Sequence, residues 1–173
     1  FCVNKFKSNK YKIMPDRIEA GTYMLAAALT KGSLLIDGIN PKIIKTEIDI
    51  LKKIGVKIKT FNNQFKVVGS KKIKNINIKT SPYPGFPTDL QAQIMVLLCR
   101  ANSNSWIYEK IFENRFMHCS ELNRMGAKIT TKGNKAYIKG KINFKSAELM
   151  ATDLRASVSL VLAALIAEGK SHI

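Results

Sequence analysis

Cysteine is scarce in this chain, with only Cys2, Cys99 and Cys119 among 173 residues. An odd number, without the paired spacing of a metal site, argues against a disulfide framework and a cysteine-based zinc site. A reducing compartment, the cytoplasm, is the simplest setting. Histidine is scarcer still. His118 and His172 stand far from each other and from any cysteine pair, so no metal site is expected. No apolar stretch reaches the length of a membrane span, and Asp, Arg, Lys or Gly cut each helix-like run. No cleavable signal is visible. The chain opens on Phe1 rather than Met, which points to a piece of a longer polypeptide.

Acidic residues are few, 12 against 29 Lys and Arg, for a formal charge of +17. Such a charge raises the possibility of nucleic-acid binding. The pattern opposes it. Arginine, the better residue for bases and phosphates, occurs only at positions 17, 100, 115, 124 and 155. The lysines are scattered through every segment among abundant Asn and Ile, as AT-rich coding produces. No basic-aromatic stripe and no RNA-binding or helix-turn-helix signature appears. Salt-sensitive adhesion is expected rather than specific recognition.

What is present is a repeat. Leu51 to Thr60, continuing through Asn63 to Gly69, aligns without gaps on Leu122 to Thr131, continuing through Asn134 to Gly140. The offset is 71 throughout, with Leu, Gly, Lys, Ile, Thr, Asn and Gly recurring at matching places. Upstream of the first anchor, Asp16 and Glu19 form a capping-box pattern that opens a helix running toward Thr30. Ser33 to Ile39 reads as a buried strand. Pro41 opens a second helix whose stripe is Ile44, Ile48 and Leu51, closed by Gly55. Val56 to Thr60 and Gln64 to Val68 read as strands about Asn62-Asn63.

The second copy predicts a helix from about Thr88, a strand around Trp106 to Ile111, a helix from about Glu113 to Met125, and a hairpin from Ala127 to Ile138. A third copy opens at Thr152-Asp153 with a helix through Ala167 and reaches Gly169-Lys170-Ser171 as its strand begins. A strand cut there would leave backbone partners unsatisfied, so truncation is expected. The units are about 15–69, 70–140 and 141–173, with 1–14 read as the tail of a preceding domain and linking strand.

The stretch Thr80 to Gln93 contains the sharpest signal. Prolines and a glycine force an irregular approach to Thr88-Asp89, where a long apolar helix begins. Asp89 is either a carboxylate presented to a ligand from a stiff loop or a helix cap. The cap reading gains from Asp16 and Asp153, which stand near the starts of the equivalent helices. Arg115, between a strand and a helix, could face an anion or pair with Glu113 or Asp153. Asp153 and Arg155 pose the same choice, and a network of ion pairs lining a cleft is the favoured reading. Arg17 and Glu19 read as structural, and Cys99 as core. His118 and Cys119 are adjacent on a helix and are expected not to face each other.

An α/β unit of this order, repeated to build a domain, resembles the enolpyruvyl transferases. Four stretches carry the resemblance: Pro15 to Gly21, Phe86 to Gln93, Ile111 to His118, and Met150 to Ser157. They are most similar to the branch whose acceptor is UDP-N-acetylglucosamine. The shikimate 3-phosphate branch is poorer at Phe86 to Gln93 and at Ile111 to His118. The resemblance spans essentially the whole chain and corresponds to a carboxy-terminal part of such an enzyme. It implies an inside-out α/β barrel, with helices inside and sheets outside, incomplete here.

It also implies the reaction. The enolpyruvyl group of phosphoenolpyruvate moves to the sugar 3-hydroxyl through a tetrahedral intermediate with no cofactor, in the first committed step of peptidoglycan synthesis. Asp89 matches the aspartate that contacts the acceptor hydroxyl and is proposed to take its proton. At a helix amino terminus a carboxylate is a weak base, so orienting the hydroxyl is its safer role. Ile111 matches a position whose backbone touches the nucleotide-sugar. By composition alone Ile111 is an ordinary strand-end core residue. Thr88, Arg115, Asp153 and Arg155 complete the expected substrate-binding set. The family's reactive cysteine and its phosphoenolpyruvate-gripping cations match nothing here, so they are expected on the remaining domain of the same polypeptide. These residues alone are expected to be inactive. A basic RNA-binding module without enzymatic activity is the alternative from another class.

Overall fold

The computed structural model describes residues 8–151 and 153–173, so Cys2, the first half of the 1–14 tail and Thr152 lie outside the described residues. Helix α1 spans Arg17–Leu29. Asp16 caps it, its Oδ1 accepting from the amides of Ile18 at 2.7 Å and Glu19 at 3.3 Å. Strand β1 is Ser33–Asp37, α2 is Lys45–Lys53, β2 is Lys57–Phe61 and β3 is Gln64–Val68. Ile44, Ile48 and Leu51 are all buried, as the 3.6-residue stripe requires. Gly55, at φ +103°, turns the chain out of α2 in a conformation that β-carbons disfavour.

The second unit opens with β4, Ile78–Lys79, then a 3-10 turn at Thr88–Leu90 leading into α3, Gln91–Cys99. Strand β5 is Ser105–Tyr108, α4 is His118–Arg124, β6 is Ile129–Lys132 and β7 is Lys135–Ile138. Helix α5, Leu154–Ala164, begins the third unit, capped by Asp153 through the Ala156 amide at 3.3 Å.

The sheets bear out the repeat pair by pair. The first has strand order β1-β3-β2 and the second β4-β5-β7-β6, antiparallel except for the β4–β5 pair. Adding 71 to both members of Ile58↔Val67 gives Ile129↔Ile138, and to both members of Leu35↔Lys66 gives Trp106↔Tyr137. Gly69 and Gly140 recur for one reason. A β-carbon at Gly69 would lie 2.6 Å from the Ala27 carbonyl oxygen, and one at Gly140 would lie 2.4 Å from that of Ser103. The last strand of the first unit leaves against the end of α1, and that of the second against the turn just beyond α3.

Helices α1, α3 and α5 pack side by side, with α3 between the other two. All nine residues of α3 are buried, Gln91 and Gln93 included, so it packs on every side rather than along one stripe. With the sheets outside this helical layer, the architecture is the inside-out α/β arrangement.

Several boundaries differ from expectation. β1 is not buried: it is an edge strand with Leu35 55% exposed, and it ends before the left-handed Gly38. Pro41 opens no helix. Asn40 forms a turn with Lys42 and Ile43, and α2 starts at Lys45. β5 stops at Tyr108 because the Glu109 carboxylate accepts from the Ile111 and Phe112 amides. α4 starts at His118, after Asn114 takes φ 53°. α5 ends at Ala164, beyond which parallel bridges join Lys145 to Glu168 and Glu148 to His172. Strand β4 had no counterpart in the periodicity, being only two residues long.

Candidate functional site

The loop before α3 is held from both sides. On the first-unit side, Thr46 Oγ1 donates to the Pro84 carbonyl, and the Arg17 guanidinium lies 4.8 Å from the centre of the Tyr83 ring. Arg17 also pairs with Glu47 at 3.3 Å, which gives it the structural role expected of it. Burial pushes the Glu47 carboxyl above its ordinary range, against its backbone hydrogen bond and Arg17.

On the second-unit side the anchor is Glu109, which is 1% exposed. Its Oε1 accepts from Thr80 Oγ1 at 2.7 Å, from the Ile111 amide at 2.9 Å and from the Phe112 amide at 3.3 Å. Its Oε2 accepts from Thr88 Oγ1 at 2.9 Å. Nothing in the periodicity marked Glu109. Its position at the end of a strand, next to a stretch already singled out, was the available signal.

Asp89 is not a helix cap. The residue at the cap position of α3 is Leu90, and no side chain makes a cap hydrogen bond there. Asp89 Oδ1 instead receives Arg115 Nη2 at 3.0 Å and Arg155 Nε at 2.6 Å. Among the described residues, Oδ2 takes no hydrogen bond. The Asp89 side chain is 30% exposed, Arg115 16% and Arg155 50%. Arg115 also lies over the Phe112 ring at 4.8 Å. The expected ion-pair network therefore exists, but its centre is Asp89 rather than Glu113 or Asp153. Asp153 caps α5 and so fixes the first turn that carries Arg155. Ile111 is no core residue. It lies beyond β5, half-buried, with its amide spent on Glu109.

His118 is buried behind this surface. Desolvation lowers its pKa to about 4, with Asp153 opposing and Arg115 reinforcing. It does touch Cys119, Nε2 to Sγ at 3.9 Å, contrary to the helical-wheel expectation, because both residues at the start of α4 turn into the core. Burial pushes the thiols of Cys99 and Cys119 up to about 12, so this contact is not a thiolate–imidazolium pair. Among the described residues, no three His, Cys, Asp or Glu side chains converge. No helix among them is long and apolar enough to cross a membrane.

Two concavities lie apart from Asp89. One of about 540 Å³ sits on the second sheet near Trp106, Lys128 and Tyr137, and one of about 310 Å³ lies between α1 and β1 near Tyr23 and Asp37. Neither brings together charged groups of complementary role. The more open surface around Asp89 does: a carboxylate oxygen, two guanidinium groups and a fixed backbone corner converge there.

Comparison with known proteins agrees with the fold. The profile of the family described as EPSP synthase (3-phosphoshikimate 1-carboxyvinyltransferase) matches residues 3–173. The UDP-N-acetylglucosamine 1-carboxyvinyltransferase of Pelagibacter ubique is 71% identical over 171 residues, covering 99% of this chain and 41% of that protein. The same-named protein of Halothermothrix orenii is 50% identical over an equal span, again 41% of its length. The chain thus spans about two-fifths of the curated relatives it matches. The enolpyruvyl transferase NikO from Streptomyces tendae superposes with a TM-score of 0.82 at 26% identity, covering 90% of this chain and 37% of that one. EPSP synthase from Acinetobacter baumannii gives 0.70 at 17% identity, covering 94% and 39%, a likeness of fold. With a helical layer between repeated sheets and a family profile matched along nearly its whole length, the chain belongs to the EPSP synthase family of enolpyruvyl transferases.

Proposed function

We propose that the protein carrying this chain transfers the enolpyruvyl group of phosphoenolpyruvate to the 3-hydroxyl of UDP-N-acetylglucosamine with release of phosphate. This chain would contribute the acceptor side of the cleft. Residues 15–173 would be part of one domain, and 1–14 the approach from another. The observation that carries the reading is Asp89 itself: one carboxylate oxygen is held by two arginines, and the other takes no hydrogen bond among the described residues. The identity to the two UDP-N-acetylglucosamine 1-carboxyvinyltransferases supports the choice of acceptor.

The mechanism follows from charge and geometry. The acceptor hydroxyl donates its hydrogen bond to Asp89 Oδ2, which aims its oxygen at the enol carbon that bears phosphate. As that bond forms, the hydroxyl proton passes to Asp89, and an acid must protonate the methylene carbon to give the tetrahedral adduct. Loss of phosphate and of a methyl proton then restores the double bond. Arg115 and Arg155 hold Asp89 in place, and each guanidinium keeps further N–H donors for a substrate carboxylate or phosphate. The Ile111 backbone and Thr88 border the place of the nucleotide-sugar, and Asp153 positions Arg155. No step in this scheme calls for a metal or redox cofactor.

A place in peptidoglycan synthesis, in cell-wall biogenesis, cell shape and division, and in the cytoplasm follows from that substrate pair. Product analysis tests the reading. The complete polypeptide, given phosphoenolpyruvate with either acceptor, should yield enolpyruvyl-UDP-N-acetylglucosamine and phosphate. Product from shikimate 3-phosphate instead would assign it to the other branch. Steeply salt-dependent RNA binding without a thermal shift by UDP-N-acetylglucosamine would support the basic-module alternative.

A further inference from the structure

Glu109 is a buried carboxylate with no cation paired to it among the described residues. An ionised carboxylate in that position is costly unless donors surround it. Four do: two threonine hydroxyls and two backbone amides. Those donors are not a local cluster. Thr80 and Thr88 bracket the proline loop, while Ile111 and Phe112 form the corner after β5. Thr80 Oγ1 in turn accepts from the Lys110 amide at 2.9 Å, and the Glu109 amide donates to the Asn134 carbonyl at 2.8 Å. The carboxylate is thereby fastened to the hairpin of the second sheet.

Both segments that border the acceptor site meet on this one group. Thr88 immediately precedes Asp89, and Phe112 lies under the guanidinium of Arg115, which holds Asp89. We propose that Glu109 is a positioning residue of the acceptor site, locking the Thr88–Asp89 turn to the Ile111–Phe112 backbone so that carboxylate and main chain meet the nucleotide-sugar in one fixed geometry. This rests on the reading of Asp89 as the acceptor-binding carboxylate. Glu109 touches neither substrate nor reacting atom. It acts by holding the groups that do.

The test is Glu109→Gln in the complete polypeptide, with kinetics for each substrate and amide exchange at Ile111 and Phe112. Glutamine keeps the shape and the Oε1 acceptor but presents an NH2 toward Thr88 in place of an anionic oxygen. KM for UDP-N-acetylglucosamine should rise about tenfold, as for loss of one charge-assisted hydrogen bond. KM for phosphoenolpyruvate should stay within about twofold, and the Ile111 and Phe112 amides should exchange faster. Thr80→Val removes a different donor to the same carboxylate and should shift the same KM in the same direction, less strongly. Faster exchange with both KM values unchanged would overturn the proposal, as would equal rises in both. If the parent protein binds no UDP-N-acetylglucosamine, the functional reading fails. Amide exchange then still decides whether Glu109 locks the corner, and unchanged exchange would overturn that too.

Discussion

Arg115 places Nη2 3.0 Å from Asp89 Oδ1, the same oxygen that Arg155 reaches from the first turn of α5. Two guanidinium groups hold this one oxygen, while Oδ2 takes no hydrogen bond among the described residues. Asp89→Ala should lower kcat/KM on the order of a thousandfold in the complete polypeptide, the scale of a lost proton-transfer or charge-orienting group. Stability should fall by only about 1–2 kcal/mol, since Arg155 is half exposed and loses little. Near-normal kinetics would reduce Asp89 to an ion-pair partner.

His118 makes stability depend on pH. The unfolded chain protonates this imidazole near 6.5, while the folded chain resists until about 4. Unfolding therefore takes up a proton between those values, and stability falls as pH drops from about 6.5 toward 4. The loss is on the order of 3 kcal/mol. Urea titrations across that window should show the fall, and His118→Gln should flatten it. An unchanged pH profile in the variant would place the acid sensitivity elsewhere.

Gly69 and Gly140 should respond alike to alanine. Each new methyl would meet backbone oxygens at 2.6 and 2.4 Å, which cannot move aside as side chains can. Each substitution should cost about 1–3 kcal/mol in chemical denaturation. Gly133, left-handed at φ +52° with open space around it, is the control and should cost about 1 kcal/mol from backbone strain alone. Losses at Gly69 and Gly140 no larger than that at Gly133 would mean that the backbone relaxes enough to relieve the crowding.

Cys99 and Cys119 should be unreactive in the folded protein. Both thiols are buried and pushed up to about 12, so almost no thiolate is present at pH 8. Iodoacetamide followed by peptide mass spectrometry should find both unmodified until denaturant is added. Rapid alkylation of Cys119 without denaturant would show that α4 opens locally.

The repeat was readable because its signals are short-range. Gly55 and Gly126 mark left-handed turns at φ +103° and +92°, and the hairpins alternate about two-residue turns. Such features follow from φ restrictions and side-chain period. Two of the misplaced boundaries have local causes that hydrophobic periodicity does not carry. Glu109 stops β5, and the left-handed Asn114 delays α4. The burial expected of the strand at Ser33 failed for a different reason. Its apolar run says nothing about whether it lies at a sheet's edge or centre.

By itself the amino-acid order determined the repeated unit, its glycines, the helix caps at Asp16 and Asp153, and the stiff approach to Asp89. These depend on neighbours within one turn or one hairpin. Only the tertiary structure decided that Asp89 is an ion-pair centre rather than a cap, and that Glu109 binds both edges of the site. Arg155 comes from the third unit and meets Asp89 because α3 and α5 pack side by side and bring their leading loops together, while Arg115 and the partners of Glu109 lie far from them along the chain within the second unit.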